Sequence, residues 1–398
     1  MFSLKSKLDP YLKQIYNAPL YKSFRVMIKC KNFLKDIEKK LNSFKCTHIG
    51  SIPSEKIIFA EVNKRALDRL LEFPEVAYIC LDEFCHLCGG MSTYTANRVN
   101  FPDKYKLTGR GVSIAIIDSG VYPHTDLTIP SNRIIGFKDF VNNYNYAYDD
   151  NGHGTMIAGI ISGSGHLSKN IFKGIAENSS LYFYKSFDGN GKGYISHILL
   201  SMDDVINKKP DTNIKLLCLP FEYLGNNPFI IKLFSNIFER CIENSIIPIV
   251  PSGSLINDTQ TISGFSTLNS CITVGGIDTT RDFKPYKYSS CGILGKVIKP
   301  DLSAAANGIL SLNTDASYIP EKSGIKIYPP KLEKSYSTYS GTSCACAYIT
   351  GICALVYENN PNLSFNDLLS LLKLSCEELP YDKHLGGEGY ISLSKLMS

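Results

Sequence analysis

The sequence predicts an α/β fold, a parallel sheet with helices on both faces, preceded by a small α+β domain. Two observations carry this expectation. Beyond Val99, short apolar runs alternate with helical stretches, the signature of parallel strands joined by crossover helices. Between Phe24 and Leu81 the order is instead strand, helix, strand, strand, helix, strand. At 398 residues the chain can bury a large core and hold more than one domain. We expect an N-terminal extension at 1–21, a small domain at 22–90 and the main domain at 91–398.

Residues 1–20 suit a short amphipathic segment. In the small domain, Phe24–Cys30, Cys46–Ile52, Ile57–Val62 and Val76–Leu81 read as strands. Asn32–Leu41 and Lys64–Phe73 read as helices, the second with leucines at helical spacing. This β-α-β-β-α-β order is the split, ferredoxin-like arrangement. In the main domain, strands are expected at Ser113–Asp118, Leu181–Ser186, Ile214–Leu219, Ile246–Val250 and Cys271–Gly275. Helices are expected at Thr155–Ser162, Ser196–Asn207, Ile230–Asn244, Ser343–Glu358 and Ser364–Leu374, with Ser364 as an N-cap.

Three stretches point to chemistry. Tyr339–Gly351 leads sharply into an apolar helix, with small residues around the hydroxyl of Ser343. A serine at a helix start sits among unpaired N–H groups, where developing negative charge is favoured. On that stretch alone, a plain helix cap reads equally well. Upstream, an apolar strand ends in Asp118, and His153 opens a small-residue helix after the loop Asp149–Gly152. Taken singly, Asp118 reads as a turn residue and His153 as a loop histidine. Together, an Asp, a His and a Ser at the ends of separate buried elements are the parts of an activated nucleophile.

Composition sets the outer limits. Net charge is +5 with both signs spread along the chain, so no dense basic block suggests nucleic acid. The first twenty residues carry charges throughout, no signal-peptide core is evident, and no later run reaches the length of a membrane span. The thirteen cysteines are odd in number and several sit in apolar elements, such as Cys218, Cys271, Cys344 and Cys353. They read as buried thiols of a reducing cytoplasm, not as a disulfide framework. Cys85-His86-Leu87-Cys88 lacks the second ligand pair that a zinc site needs, and reads as a linker with incidental cysteines. No metal ligands are expected.

The strings IAIIDSGVYPHTDL, DDNGHGTMIAG and SGTSCACA, in the order Asp, His, Ser, resemble the subtilisin-like serine proteases, or subtilases. RIIGFKDFVNN, DTQTISGF, CITVGGID and VIKPDLSA add to the likeness, which runs from about Leu107 to Tyr357 and is most like intracellular, AprX-type subtilisins. The resemblance implies a subtilisin-like sheet and a triad of Asp118, His153 and Ser343. It also implies that the small domain is an inhibitor-type propeptide whose tail, from Asp82 to about Tyr94, lies in the cleft, with cleavage near Cys88–Met91. A permanently attached regulatory domain is the other reading. Substrate would pair with Gly191-Lys192-Gly193 on one side and with Leu219-Pro220-Phe221 on the other.

This chain departs from the family in places. Where subtilases have Ser-Leu-Gly-Gly, it has Leu219-Pro220-Phe221-Glu222. Pro220 removes a donor, and Phe221 and Glu222 add bulk where the pocket floor is usually open. The oxyanion-hole asparagine aligns with Ser254, so the hole is expected from Ser254 and Ser343, with Asn257 a distant substitute. The loop 162–173 lacks the asparagine-rich calcium loop of secreted subtilisins, so no cofactor is expected and calcium is unsupported. The expected function is an endopeptidase acting on polypeptides, with its own propeptide bound in the cleft and no nucleic acid or membrane as partner. The alternative is an impaired, peptide-binding pseudoprotease that regulates without cutting.

Overall fold

The computed structural model describes residues 4–16, 22–87, 90–91, 97, 107–280, 282–295 and 297–397. The chain divides into two compact units. One takes the chain up to Phe84 together with Tyr194–Asp203; the other takes Cys85–Gly193 and everything from Asp204. Residues 85–87, assigned from the sequence to the small domain, fall in the larger unit.

The small unit contains α1 (Pro10–Tyr16), β1 (Ser23–Cys30), α2 (Leu34–Ser43), β2 (Thr47–Ile52), β3 (Ile57–Asn63), α3 (Lys64–Glu72) and β4 (Val76–Leu81). Its sheet runs β2-β3-β1-β4, and β1 pairs antiparallel with both β3 and β4. The two helices bury Ile37, Leu41, Leu67 and Leu70 against Val26, Ile28, Ile58 and Ala60 of the strands. Asn63 caps α3 by accepting from the Ala66 N–H. Leu8 and Leu12 of the N-terminal segment join the same core.

The larger unit begins with β5 (Phe84–Leu87) and β6 (Gly90–Met91), then β7 (Ser113–Asp118), α4 (Thr125–Thr128) and β8 (Ile134–Asp139). In chain order there follow α5 (His153–Ser162), β9 (Ser180–Lys185), β10 (Lys192–Tyr194), α6 (Ile195–Asn207), whose residues up to Asp203 cluster with the small unit, and α7 (Lys209–Thr212). Next come β11 (Ile214–Cys218), β12 (Phe221–Glu222), α8 (Pro228–Glu243), β13 (Ile247–Pro251) and β14 (Ile272–Asp278). The helix that carries Ser343 is α9 (Thr342–Asn359), followed by α10 (Phe365–Leu374). In the central sheet β8, β9, β7, β11, β13, β14 and the strand Leu302–Ala305 lie side by side, all parallel. Strand β7 is buried at every position, as expected where both faces of a sheet are covered.

Helices α5 and α9 supply the interior of this core. Every residue of α5, and of α9 from Thr342 to Tyr357, is buried, which suits helices that are small and apolar all round. Cys344, Cys346 and Cys353 pack there as free thiols. Burial pushes the Cys344 thiol up to about 12. The expected cap on α10 is present as a full capping box between Ser364 and Asp367.

Candidate active site

Strand β7 carries Asp118 to the carboxyl end of the parallel sheet, where open α/β sheets place their sites. Its carboxylate is fully buried and accepts from the Ser119 N–H at 2.6 Å. Both of its oxygens lie 2.9 Å from Nδ1 of His153. An ionised carboxylate only accepts, so in this contact the proton sits on Nδ1.

The loop into His153 is held by Asp149. Fully buried, it accepts from the Ser119 hydroxyl at 2.9 Å and from the Gly152 N–H at 2.8 Å. It also accepts from the N–H and hydroxyl of Thr155 at 2.8 and 2.6 Å. The Ser119 hydroxyl in turn accepts from the Gly154 N–H at 3.0 Å. Side chains flanking the Asp and the His are thus cross-tied. Gly154 has no alternative here, because a Cβ would stand 2.0 Å from the Gly120 carbonyl oxygen.

Behind Asp118, the adjacent strand places Lys185 directly opposite it in register. This lysine is fully buried and donates to the carbonyls of Ser119 at 2.6 Å and Phe187 at 3.0 Å, and to Asp150 at 2.5 Å. Its ammonium therefore has a complete set of acceptors. Sequence reasoning missed both Lys185 and the bracing role of Asp149. A charged residue ending an apolar strand was the available signal.

Ser343 occupies the first turn of α9, after Gly341 at φ 150. The Ser343 hydroxyl is buried and donates to the Pro220 carbonyl at 2.9 Å. The neighbouring Thr342 hydroxyl donates to the Gly253 carbonyl at 3.1 Å. The start of α9 thus reaches both the 219–222 edge and the 250–254 loop.

Strand β5 lies between β10 and β12 in a three-stranded sheet. Leu87 pairs antiparallel with Phe221 and His86 with Glu222. Further on, Gly90 and Met91 pair with Ser340 and Tyr339, just ahead of Ser343. Gly191, Lys192 and Gly193 form the turn into β10 and its first residues, with Gly191 at φ 75.

Residues 109–390 match the profile of the peptidase S8, or subtilase, family. The chain belongs to the subtilase family. The serine protease AprX of Bacillus subtilis (strain 168) is 33% identical over 290 residues, covering 67% of this chain and 61% of AprX. Subtilisin-like protease 3 of Plasmodium falciparum (isolate 3D7) is 28% identical over 244 residues, covering 60% of this chain and 29% of that protein. The match thus spans about three-fifths and under a third of these two relatives. Fervidolysin from Fervidobacterium pennivorans, described as a keratinolytic enzyme related to subtilisin, superposes with a TM-score of 0.70 at 15% identity. That match covers 96% of this chain and 62% of fervidolysin. The fold is subtilisin-like.

Several expectations taken from other subtilases change in this geometry. The Phe221 ring is fully buried, with ring centroids 4.9 Å from Phe187 and 5.6 Å from Phe265. Ser254 is not a free donor. Its N–H donates to the Glu222 carboxylate at 2.8 Å, and its hydroxyl donates to the other oxygen of the same group. The Asn257 amide directs one N–H at the Ser289 carbonyl at 2.9 Å. The bonds proposed for cleavage near Cys88–Met91 involve residues 88 and 89, which lie outside the described residues.

Proposed function

We propose that the chain is a serine endopeptidase made with an inhibitory N-terminal propeptide. The observation that carries this is the bond between Asp118 and Nδ1 of His153, with Ser343 at the head of a buried helix in the same unit. His153 Nε2 takes the hydroxyl proton as Ser343 Oγ bonds to the substrate carbonyl carbon. It then passes that proton to the leaving amine as the C–N bond breaks, which leaves an acyl-enzyme for water to hydrolyse. Asp118 fixes the imidazole tautomer and stabilises its charged form.

A polypeptide substrate would lie as β5 does, extended between Lys192–Tyr194 and Phe221–Glu222. A segment of the chain occupying that track supports reading residues 22–90 as an inhibitory propeptide. The buried free thiols fit a reducing, cytoplasmic setting.

A fluorophosphonate probe tests the central reading. Mass spectrometry should show one adduct, on Ser343, that is lost in Ser343→Ala. An unlabelled wild-type chain, with 1–90 removed as well as present, would overturn it.

A further inference from the structure

Glu222 is the one charged residue of the cleft edge Leu219–Glu222, and it is only 6% exposed. Its recorded partners are both on Ser254, the N–H at 2.8 Å and the hydroxyl. No lysine, arginine or histidine pairs with it among the described residues. A carboxylate held by these two neutral donors has acceptor capacity beyond them.

Its position faces the track a substrate would take. Glu222 pairs across the sheet with residue 86 of β5, so a peptide lying there brings side chains within reach of it. Gly253 leaves the carboxylate room: at φ 115, a Cβ would stand 2.8 Å from the Glu222 Oε2. The loops on either side are tied to the nucleophile turn, through Thr342 to Gly253 and Ser343 to Pro220.

We propose that Glu222 is a specificity residue that couples recognition of a basic substrate side chain to release of Ser254. A hydroxyl has one proton to give. While that proton is directed at Glu222, Ser254 cannot donate it to an oxyanion, and the carboxylate adds unfavourable negative charge beside one. A lysine or arginine of the substrate neutralises the carboxylate and competes for its oxygens. The Ser254 hydroxyl is then able to turn to the reacting carbonyl. Neutral and acidic substrates leave the Glu222–Ser254 contact closed, so discrimination comes from a penalty as well as an attraction. No covalent step beyond the proposed acyl transfer is involved.

This rests on the proteolytic reading, and the test separates the two. The full chain is treated with peptidyl phosphonates that differ in one side chain (Arg, Lys, Leu, Phe or Glu) and with a plain fluorophosphonate that has none. Arg and Lys probes should label Ser343 at least about ten-fold faster than Leu. In Glu222→Gln that ratio should fall to within about three-fold, with Glu222→Ala as a second variant. A wild-type preference for Leu or Phe, or an unchanged ratio in both variants, overturns the inference while plain labelling leaves the protease reading intact. If Ser343 labels with nothing, the protease reading fails. The inference is then judged by calorimetric binding of the matching Arg, Lys and Leu peptides to Ser343→Ala, where no basic preference sinks it.

Discussion

At the scale of single residues, Asp118 and His153 of the proposed triad are in contact, while the residues around them depart from the family pattern. The Asp118–His153 contact was legible because both residues sit in short, distinctive strings at element ends. The hold of Glu222 on Ser254 was not, since nothing local in either string announces a bond across 32 residues. The same blindness applied to Phe221, whose turn into the Phe187 and Phe265 rings depends on a cluster assembled from three separate stretches. Ser254→Asn gives a direct expectation. An amide has two N–H donors where a hydroxyl has one, so one can face Glu222 while the other meets the oxyanion. Turnover on a fixed peptide should rise, by up to about 10²-fold, the worth of one such donor. An unchanged or lower kcat would mean that another donor already serves.

At the scale of elements, α4 carries a pH dependence. His124 caps this helix, accepting from the Asp126 N–H through Nδ1 at 3.1 Å. Nε2 lies 2.9 Å from the Ser335 carbonyl and therefore carries the proton. Burial holds its pKa below the ordinary 6.5, against opposing pulls from Asp126 and the Ser335 carbonyl. The unfolded chain therefore protonates first as pH falls. Stability from the neutral ring is complete above the unfolded value and is lost as pH drops through the folded one. Melting temperature should fall between about pH 7 and pH 5. His124→Asn keeps a capping oxygen, lowers the neutral-pH melting temperature and flattens that slope; an equally steep slope would rule out His124 as its source. Elements with strong periodicity or cap chemistry were readable, as the strands of the small unit and the Ser364 cap show. Strand β8 and the strand Leu302–Ala305 were missed because one carries glycine and lysine and the other is only four residues long, three of them small. Pairing within the sheet, not propensity, makes them strands. Strand β5 was missed for the same reason, since only the distant edges at β10 and β12 make it one.

For the whole molecule, the alternation of strands and helices was enough to anticipate the parallel sheet. The division of the chain was less legible, because residues 85–87 belong by contact to a unit most of which is encoded later. The proposed maturation gives a simple expectation. Intact mass of the purified wild type should show a break within 88–91, whereas Ser343→Ala should retain its full mass. A full-length wild type alongside a labelled Ser343 would favour a permanently attached domain. The cysteines of α9 have a consequence of their own. Cys344 lies next to Ser343 in sequence, yet burial raises its pKa well above neutral pH and keeps it a thiol. Alkylating agents and mild oxidants therefore meet an inert sulfur at that position, and the chemistry of the turn is left to oxygen alone.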